Sequence, residues 1–389
     1  MDETRRVKIT NSRMKTVDLL AEFSQTLLLQ TLSKECKESD QLNNIVLAPA
    51  CIVSALMLLE KGAAGETLSG IQQALQGKGE SVALQKVHNE PVKVFNDAVR
   101  VWISKLLHSQ LVPEWVNKVG PEAFATADFV AQVEQTAARI NKFVSDTTKG
   151  HLKKLVDSGD IMGAVLVLVT ACHFKDNWLH EFDKKNTQDA EFFISSEQTI
   201  SVPFMYQMIR EKHLCTVCRG REFTALHKPY ENPEFEMALI LPKREGPAGL
   251  FDALRDGCLL GNRYKHQKAN YISLTVPRFD VTQKLKLNTI LQSMGMVDAF
   301  DVGKADFTRM VAAPEDSDKS VFIDAIIHKA RVTVDEKGTE ASGATAVIMR
   351  TSALIPEQLH FNRPFIFAVL HVETHAPFFV GIVSNPVVE

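Results

Sequence analysis

No run of apolar residues in this chain approaches the ~20 needed to span a bilayer as a helix. No Asn-x-Ser/Thr acceptor occurs, which fits a protein not built for the glycosylating secretory route. The six cysteines, Cys36, Cys51, Cys172, Cys215, Cys218 and Cys258, show no framework spacing for a chain of 389 residues. They read mostly as free, buried thiols in a reducing compartment. The start of the chain lacks the pattern of a secretory signal: Asp18 and Glu22 interrupt its apolar part, and no small-residue cleavage site follows. No Lys/Arg cluster stands out, and Lys153–Lys154 and Lys184–Lys185 are solvated pairs. The net charge of −3 points to neither nucleic acid nor an anionic membrane. The cytoplasm is the expected location, with unconventional export to an extracellular site left open. Also absent are a zinc-protease helix, a phosphate loop, a dinucleotide glycine pattern and a serine elbow. No cofactor and no metal are expected.

What is present suffices for a large core, with 45% hydrophobic and 23% charged residues. Leu20, Phe23 and Leu27 share one face of a helix across residues 18–34. Helices are also expected after Pro49, over GETLSGIQQAL, and over 131–147, where Val133, Ala137, Ile140 and Val144 align and Gly150 closes. Residues 163–174 hold a strand buried on both faces, and FEMALIL (235–241) resembles it. Leu287, Ile290, Leu291 and Met294 have helical spacing ending at Gly295. PFIFAVLHV and PFFVGIV form a buried hairpin. Helices dominate the first third and strands the last, with no linker or repeat between them. The patch APEDSDKS (313–320) is a loop. The fold class is α+β, in one domain over 1–389.

Candidate chemistry is sparse. Cys215-Thr216-Val217-Cys218 has the C-x-x-C spacing of redox or metal sites. It lies in an apparent strand, where positions three apart face opposite ways. His328 sits among apolar neighbours in FIDAIIHKARVTV, where burial demands a hydrogen-bond partner. Trp178 in HFKDNWLHEF reads as packing. The segment from Val334 to Gln358 is unusual. At period two, Thr339, Ala341, Gly343, Thr345, Val347 and Met349 form an uncharged parity that grows from small to large. Glu340 and Arg350 both fall on the other parity. One face can enter a core, yet the glycines and alanines have weak strand propensity. The residues leave open both a loop that can become a strand and an exposed, protease-sensitive loop.

DEKGTEASGATAV resembles the reactive-loop hinge of serpins, and FNRPFIFAVLHVETHAPFFVGIVSNP resembles the serpin C-terminal signature. GAAGETLSGIQQAL, LVPEWVNKV, INKFVSDTTKGHLKKLV, HFKDNWLHEF, LHKPY, MALILP, VPRF and DAIIHKARVTVDEKGTEA follow in serpin order over nearly the whole chain. The resemblance implies the serpin fold, with three β-sheets, about nine helices and an exposed reactive-centre loop at about 336–360. It implies a metastable protease inhibitor rather than an enzyme. Its partner is a serine protease, held as a covalent acyl complex when the loop inserts into the main sheet. About 15 inserted residues at ~3.3 Å each would carry the protease roughly 50 Å. The inhibitor is expected to be a monomer without nucleic-acid or membrane partners. The region matching the basic helix of heparin-binding serpins has only Lys78, Lys86 and Lys93, so no heparin site is evident.

By the same resemblance the hinge comprises Glu336, Gly338, Thr339, Glu340, Ala341, Ser342 and Gly343. The reactive bond is Ser352–Ala353, with Arg350–Thr351 as the alternative. Small residues there suit an elastase-like protease, and Arg350 a trypsin-like one. Trp178, His328, Ala48, Cys51 and Thr170 fall at the breach and shutter. Ala48 and Cys51 stand where the family usually has serines, and Thr170 where it usually has asparagine. Such a cluster is left short of partners unless water or backbone substitutes. Three alternatives follow: a non-inhibitory serpin acting as chaperone or binding module, a cross-class inhibitor of cysteine proteases, and a thiol enzyme using Cys215 and Cys218.

Overall fold

The computed structural model describes residues 3–39, 41–77, 95–210, 215–260, 263–269, 271–312, 321–338 and 355–387, with side chains from Leu19 onward. Two compact units divide the chain. The first is built from 1–30, 48–173 and 284–330, the second from 31–47, 174–283 and 331–389.

In the first unit the amphipathic pattern of 131–147 becomes a helix, Val133–Thr147. Its Val133, Ala137, Ile140 and Val144 are buried together with Trp102, Val167, Val169, Ala171, Ala325 and Ile327. Each fully buried Val or Ile there contributes about 1.5–3 kcal/mol. The sheet supplying these partners runs β12 (Phe279–Lys286), β13 (Ala325–Val334), β4 (Leu166–Phe174), β2 (Phe95–Ser104), β3 (Phe124–Ala127). All nine residues of β4 are buried, as its continuous apolar run requires. Leu20, Phe23 and Leu27 are buried on the helix Glu3–Glu38. Further helices cover Pro49–Glu60, Gly65–Ala74 and Asn288–Ser293. Gly295 follows the last at φ +107, a conformation that favours glycine.

The second unit holds two more sheets. One is antiparallel throughout: β1 (Ile45–Leu47), β16 (Pro377–Val383), β15 (Phe365–His371), β9 (Phe235–Pro242), β8 (Phe223–Pro229), β7 (Thr216–Arg219), β10 (Gln267–Lys268). Its β15–β16 hairpin is the expected C-terminal pair, with Ala368 opposite Val380. The other sheet runs β14 (Glu357–His360), β11 (Ile272–Pro277), β6 (Thr199–Ile209), β5 (Gln188–Phe193).

Candidate functional site

His328 lies on β13 in the first unit and is fully buried. The backbone N–H of Ala48, at the start of the helix Pro49–Glu60, donates to its Nε2 at 3.1 Å. A donor at Nε2 requires a lone pair there. The proton of the neutral ring therefore sits on Nδ1 and donates to Thr170 Oγ1 on β4, 2.8 Å away. Burial pushes the His328 pKa down to about 3, so the ring is neutral at pH 7. Both nitrogens are satisfied, so the loss of side-chain partners expected at Ala48 and Thr170 leaves no orphan on this ring. Ala48 substitutes its backbone for the missing hydroxyl. The helix gives up a side-chain N-cap at that position.

Cys51, on the helix Pro49–Glu60, is buried. Its thiol shares a hydrogen bond with Cys172 on β4. That bond, and then burial, raises Cys51 well above the ordinary thiol range; burial raises Cys172. In the sequence Cys172 stood only among the thiols read as free and buried, which it is.

In the second unit the chain leaving β13 is fastened at each step. Glu336 is 1% exposed. Its Oε1 accepts from Arg278 Nε at 2.8 Å, from a second guanidinium nitrogen of Arg278, and from Thr187 Oγ1 at 2.6 Å. Burial alone would raise the Glu336 pKa. The Arg278 and Thr187 bonds outweigh it and hold the carboxyl below its usual range. The Glu336 carbonyl accepts from Phe182 N–H at 2.7 Å, and that of Lys337 from Trp178 N–H at 2.7 Å. Trp178 Nε1 donates to Asp335 O at 3.0 Å. Trp178 therefore does more than pack, although its ring also stacks on Tyr230 at 4.6 Å and 7°.

Gly338 pairs with Asn177 and has φ +147. A Cβ there would lie 2.3 Å from Asp176 O and 2.4 Å from Asn177 Cα, so only glycine fits. Lys228, on β8, is buried. Its Nζ donates to His180 O and Gln207 Oε1, both at 2.7 Å, and burial lowers its pKa to about 8.

Thr339, Glu340, Ala341, Ser342, Gly343, Arg350, Thr351, Ser352 and Ala353 lie outside the described residues, as do 313–320 and 78–94. Cys215 and Cys218 are free and buried, and burial pushes each pKa up to about 11, the reverse of a redox pair. Cys36 is exposed and Cys258 half-buried, so not every thiol is buried. Among the described residues no helix is long and apolar enough to cross a membrane. Arg278 and the pair Lys228 and Tyr230 lay unmarked inside the VPRF and LHKPY motifs.

The family model described as "Serpin (serine protease inhibitor)" matches residues 24–386, and the chain belongs to that family. A putative serpin-Z12 of Oryza sativa subsp. japonica is 32% identical over 89% of this chain and 86% of the relative. A leukocyte elastase inhibitor of Xenopus laevis is 27% identical over 91% and 96%. The crystal structure of the thermophilic serpin tengpin in its native state superposes with a TM-score of 0.78 at 24% identity, covering 95% of this chain and 94% of that one. The fold is the serpin fold, and the family is one of inhibitors, not enzymes.

Proposed function

We propose that this serpin inhibits serine proteases as a suicide substrate. The loop at about 336–360 offers Ser352–Ala353 to the protease, with Arg350–Thr351 the second choice, and the acyl-enzyme is trapped when the loop enters the main sheet between β13 and β4. The carrying observation is the state of the strand end. Glu336 is clamped by Arg278 and Thr187, and Gly338 takes a conformation open only to glycine. The loop is thereby pinned at its root before it is cut.

Insertion must part β13 from β4, which are neighbours in the sheet. The bond from His328 to Thr170 crosses that seam at 2.8 Å. Breaking it costs about 0.5–1.5 kcal/mol, small beside the gain from a whole new strand of ladder bonds. Thr339, Ala341 and Gly343 supply the uncharged parity that would face the core. Small residues at Ser352 and Ala353 favour an elastase-like target, in keeping with the leukocyte elastase inhibitor among its relatives. The absence of glycosylation acceptors and six free thiols support a cytoplasmic site of action.

The test is to mix the protein with pancreatic elastase and, separately, with trypsin. A band at the summed mass that survives denaturant is the expected result. The mass of the released peptide tells a start at Ala353 from one at Thr351. Cleavage by both enzymes without a stable complex would overturn the proposal.

A further inference from the structure

Two charged side chains of the second unit, Lys228 and Glu336, are each 1% exposed. Among the described residues Glu336 is paired with an ion of opposite sign, Arg278, and Lys228 is not. The Lys228 ammonium meets only neutral groups: His180 O and Gln207 Oε1, both at 2.7 Å, and the rings of Trp178 and Phe182 at 5.3 and 4.6 Å. Carbonyl dipoles and ring faces repay part of the cost of burying a cation without a counter-ion. They do not repay all of it, since burial still lowers the Lys228 pKa to about 8. The surroundings offer no compensating charge. Cys215 is the titratable group whose charge acts on the amine, and its thiol, pushed up to about 11, is neutral at pH 7. On β8 the neighbouring His227 is bonded to Glu236 of β9, and the residue of β9 opposite Lys228 is Met237. β6 supplies the uncharged Gln207. On the segment 178–182, His180 is exposed and Glu181 half-buried.

The residues around this amine are the ones that hold the root of the reactive loop. Trp178 N–H donates to Lys337 O and Phe182 N–H to Glu336 O, both at 2.7 Å, while the carbonyl of His180, midway between them, accepts from Lys228. We propose that Lys228 is a positioning residue whose uncompensated charge favours parting of the 178–182 segment from the strand end at Glu336–Gly338, and so speeds entry of the loop into the sheet. The proposal rests on the inhibitory reading above. Its energetic content is a proton linkage. In water a lysine amine titrates near ~10.4. An open state that returns the amine to water therefore holds the proton more firmly than the closed one. At pH 7 the charge is present and opening benefits in full. As pH rises through about 8 the closed state sheds the proton, and opening loses that benefit. Between pH 7 and pH 9 the open population should fall about 10-fold.

The experiment follows hydrogen exchange of the full, uncut chain by mass spectrometry at pH 7 and pH 9, with each rate divided by the intrinsic rate at that pH. Peptides carrying the Trp178 and Phe182 N–H groups should gain about 10-fold in protection at pH 9. The β15–β16 hairpin is the reference and should not gain. Lys228→Met removes the charge, so its protection should be the same at both pH values. Lys228→Arg keeps the charge throughout, so it should stay weakly protected at both. If the Met variant does not fold, the wild type and the Arg variant decide. Protection that is flat or falls with pH in the wild type overturns the proposal, as does an equal rise in either variant. The same proteins are then mixed with pancreatic elastase. Lys228→Met should leave at least ~2-fold more serpin cut without a covalent complex, because its loop enters later. An unchanged partition, with the exchange effect intact, overturns the role in loop entry. A wild type that forms no complex at all sinks the inhibitory reading instead, and the exchange result still decides whether the Lys228 charge favours opening.

Discussion

Acidification from pH 7 to pH 5 should cost this protein stability through one imidazole. His328 is neutral in the fold, with its pKa pushed down to about 3 by burial. In the unfolded chain a histidine titrates near ~6.5. The unfolded state therefore binds the extra proton, and stability falls as pH drops below ~6.5 until the folded pKa is reached. At pH 5 the linkage amounts to about 2 kcal/mol, set almost wholly by the unfolded pKa. For 389 residues unfolding together, with ~2.1 cal/mol/K per residue, this lowers Tm by about 2–3 °C. His328→Gln removes the titration while its amide can still accept from Ala48 N–H and donate to Thr170. The assay is thermal unfolding of both proteins between pH 7 and pH 5 at a matched scan rate. The wild type should lose about 2 kcal/mol more than the variant. Parallel curves would refute the buried, neutral assignment of His328.

Glu336→Gln should lower Tm at pH 7 by breaking charge-assisted bonds of about 1.5–3 kcal/mol, reduced because Arg278 is 39% exposed and rehydrates. The Glu336 pKa is depressed in the fold, so its contribution is full above the unfolded value of ~4.3 and is lost as pH falls through the folded one. The gap between wild type and variant should close in strong acid. Gly338→Ala should destabilise by about 1–3 kcal/mol, read as a lower unfolding midpoint, because its Cβ meets Asp176 O at 2.3 Å. Thr339→Arg should convert inhibitor into substrate, since the inserted strand would bury a charge at a cost of several kcal/mol; unchanged complex formation on denaturing gels contradicts this. A thiol reagent should react first with exposed Cys36 and reach Cys215 and Cys218 only after denaturation.

Elements that depend on local pattern were readable in advance. Val133, Ala137, Ile140 and Val144 announced their helix, Leu166 to Phe174 their buried strand, and the tail its hairpin. Burial of His328 followed from its apolar neighbours. Its partners did not, because a backbone N–H can replace a lost hydroxyl and no residue type betrays that. Arg278 and Glu336 are 58 positions apart, and only strand register brings them together. The Cys51–Cys172 pair stayed hidden because it joins a helix to a strand far away in the sequence. Arg278, Lys228 and Tyr230 stood inside recognisable short motifs, but a motif names a neighbourhood without saying which atom bonds which.

Lys228 offers a chemical record of opening. Its amine is enclosed by His180 O, Gln207 Oε1 and the rings of Trp178 and Phe182, at 5.3 and 4.6 Å. Lys228 is 1% exposed, so an acylating reagent in solution reaches its amine only when this packing opens. In a timed labelling reaction each molecule would therefore keep a free amine at this position until the packing around it first opened. The fraction acylated at Lys228 would report the molecules that had opened at least once.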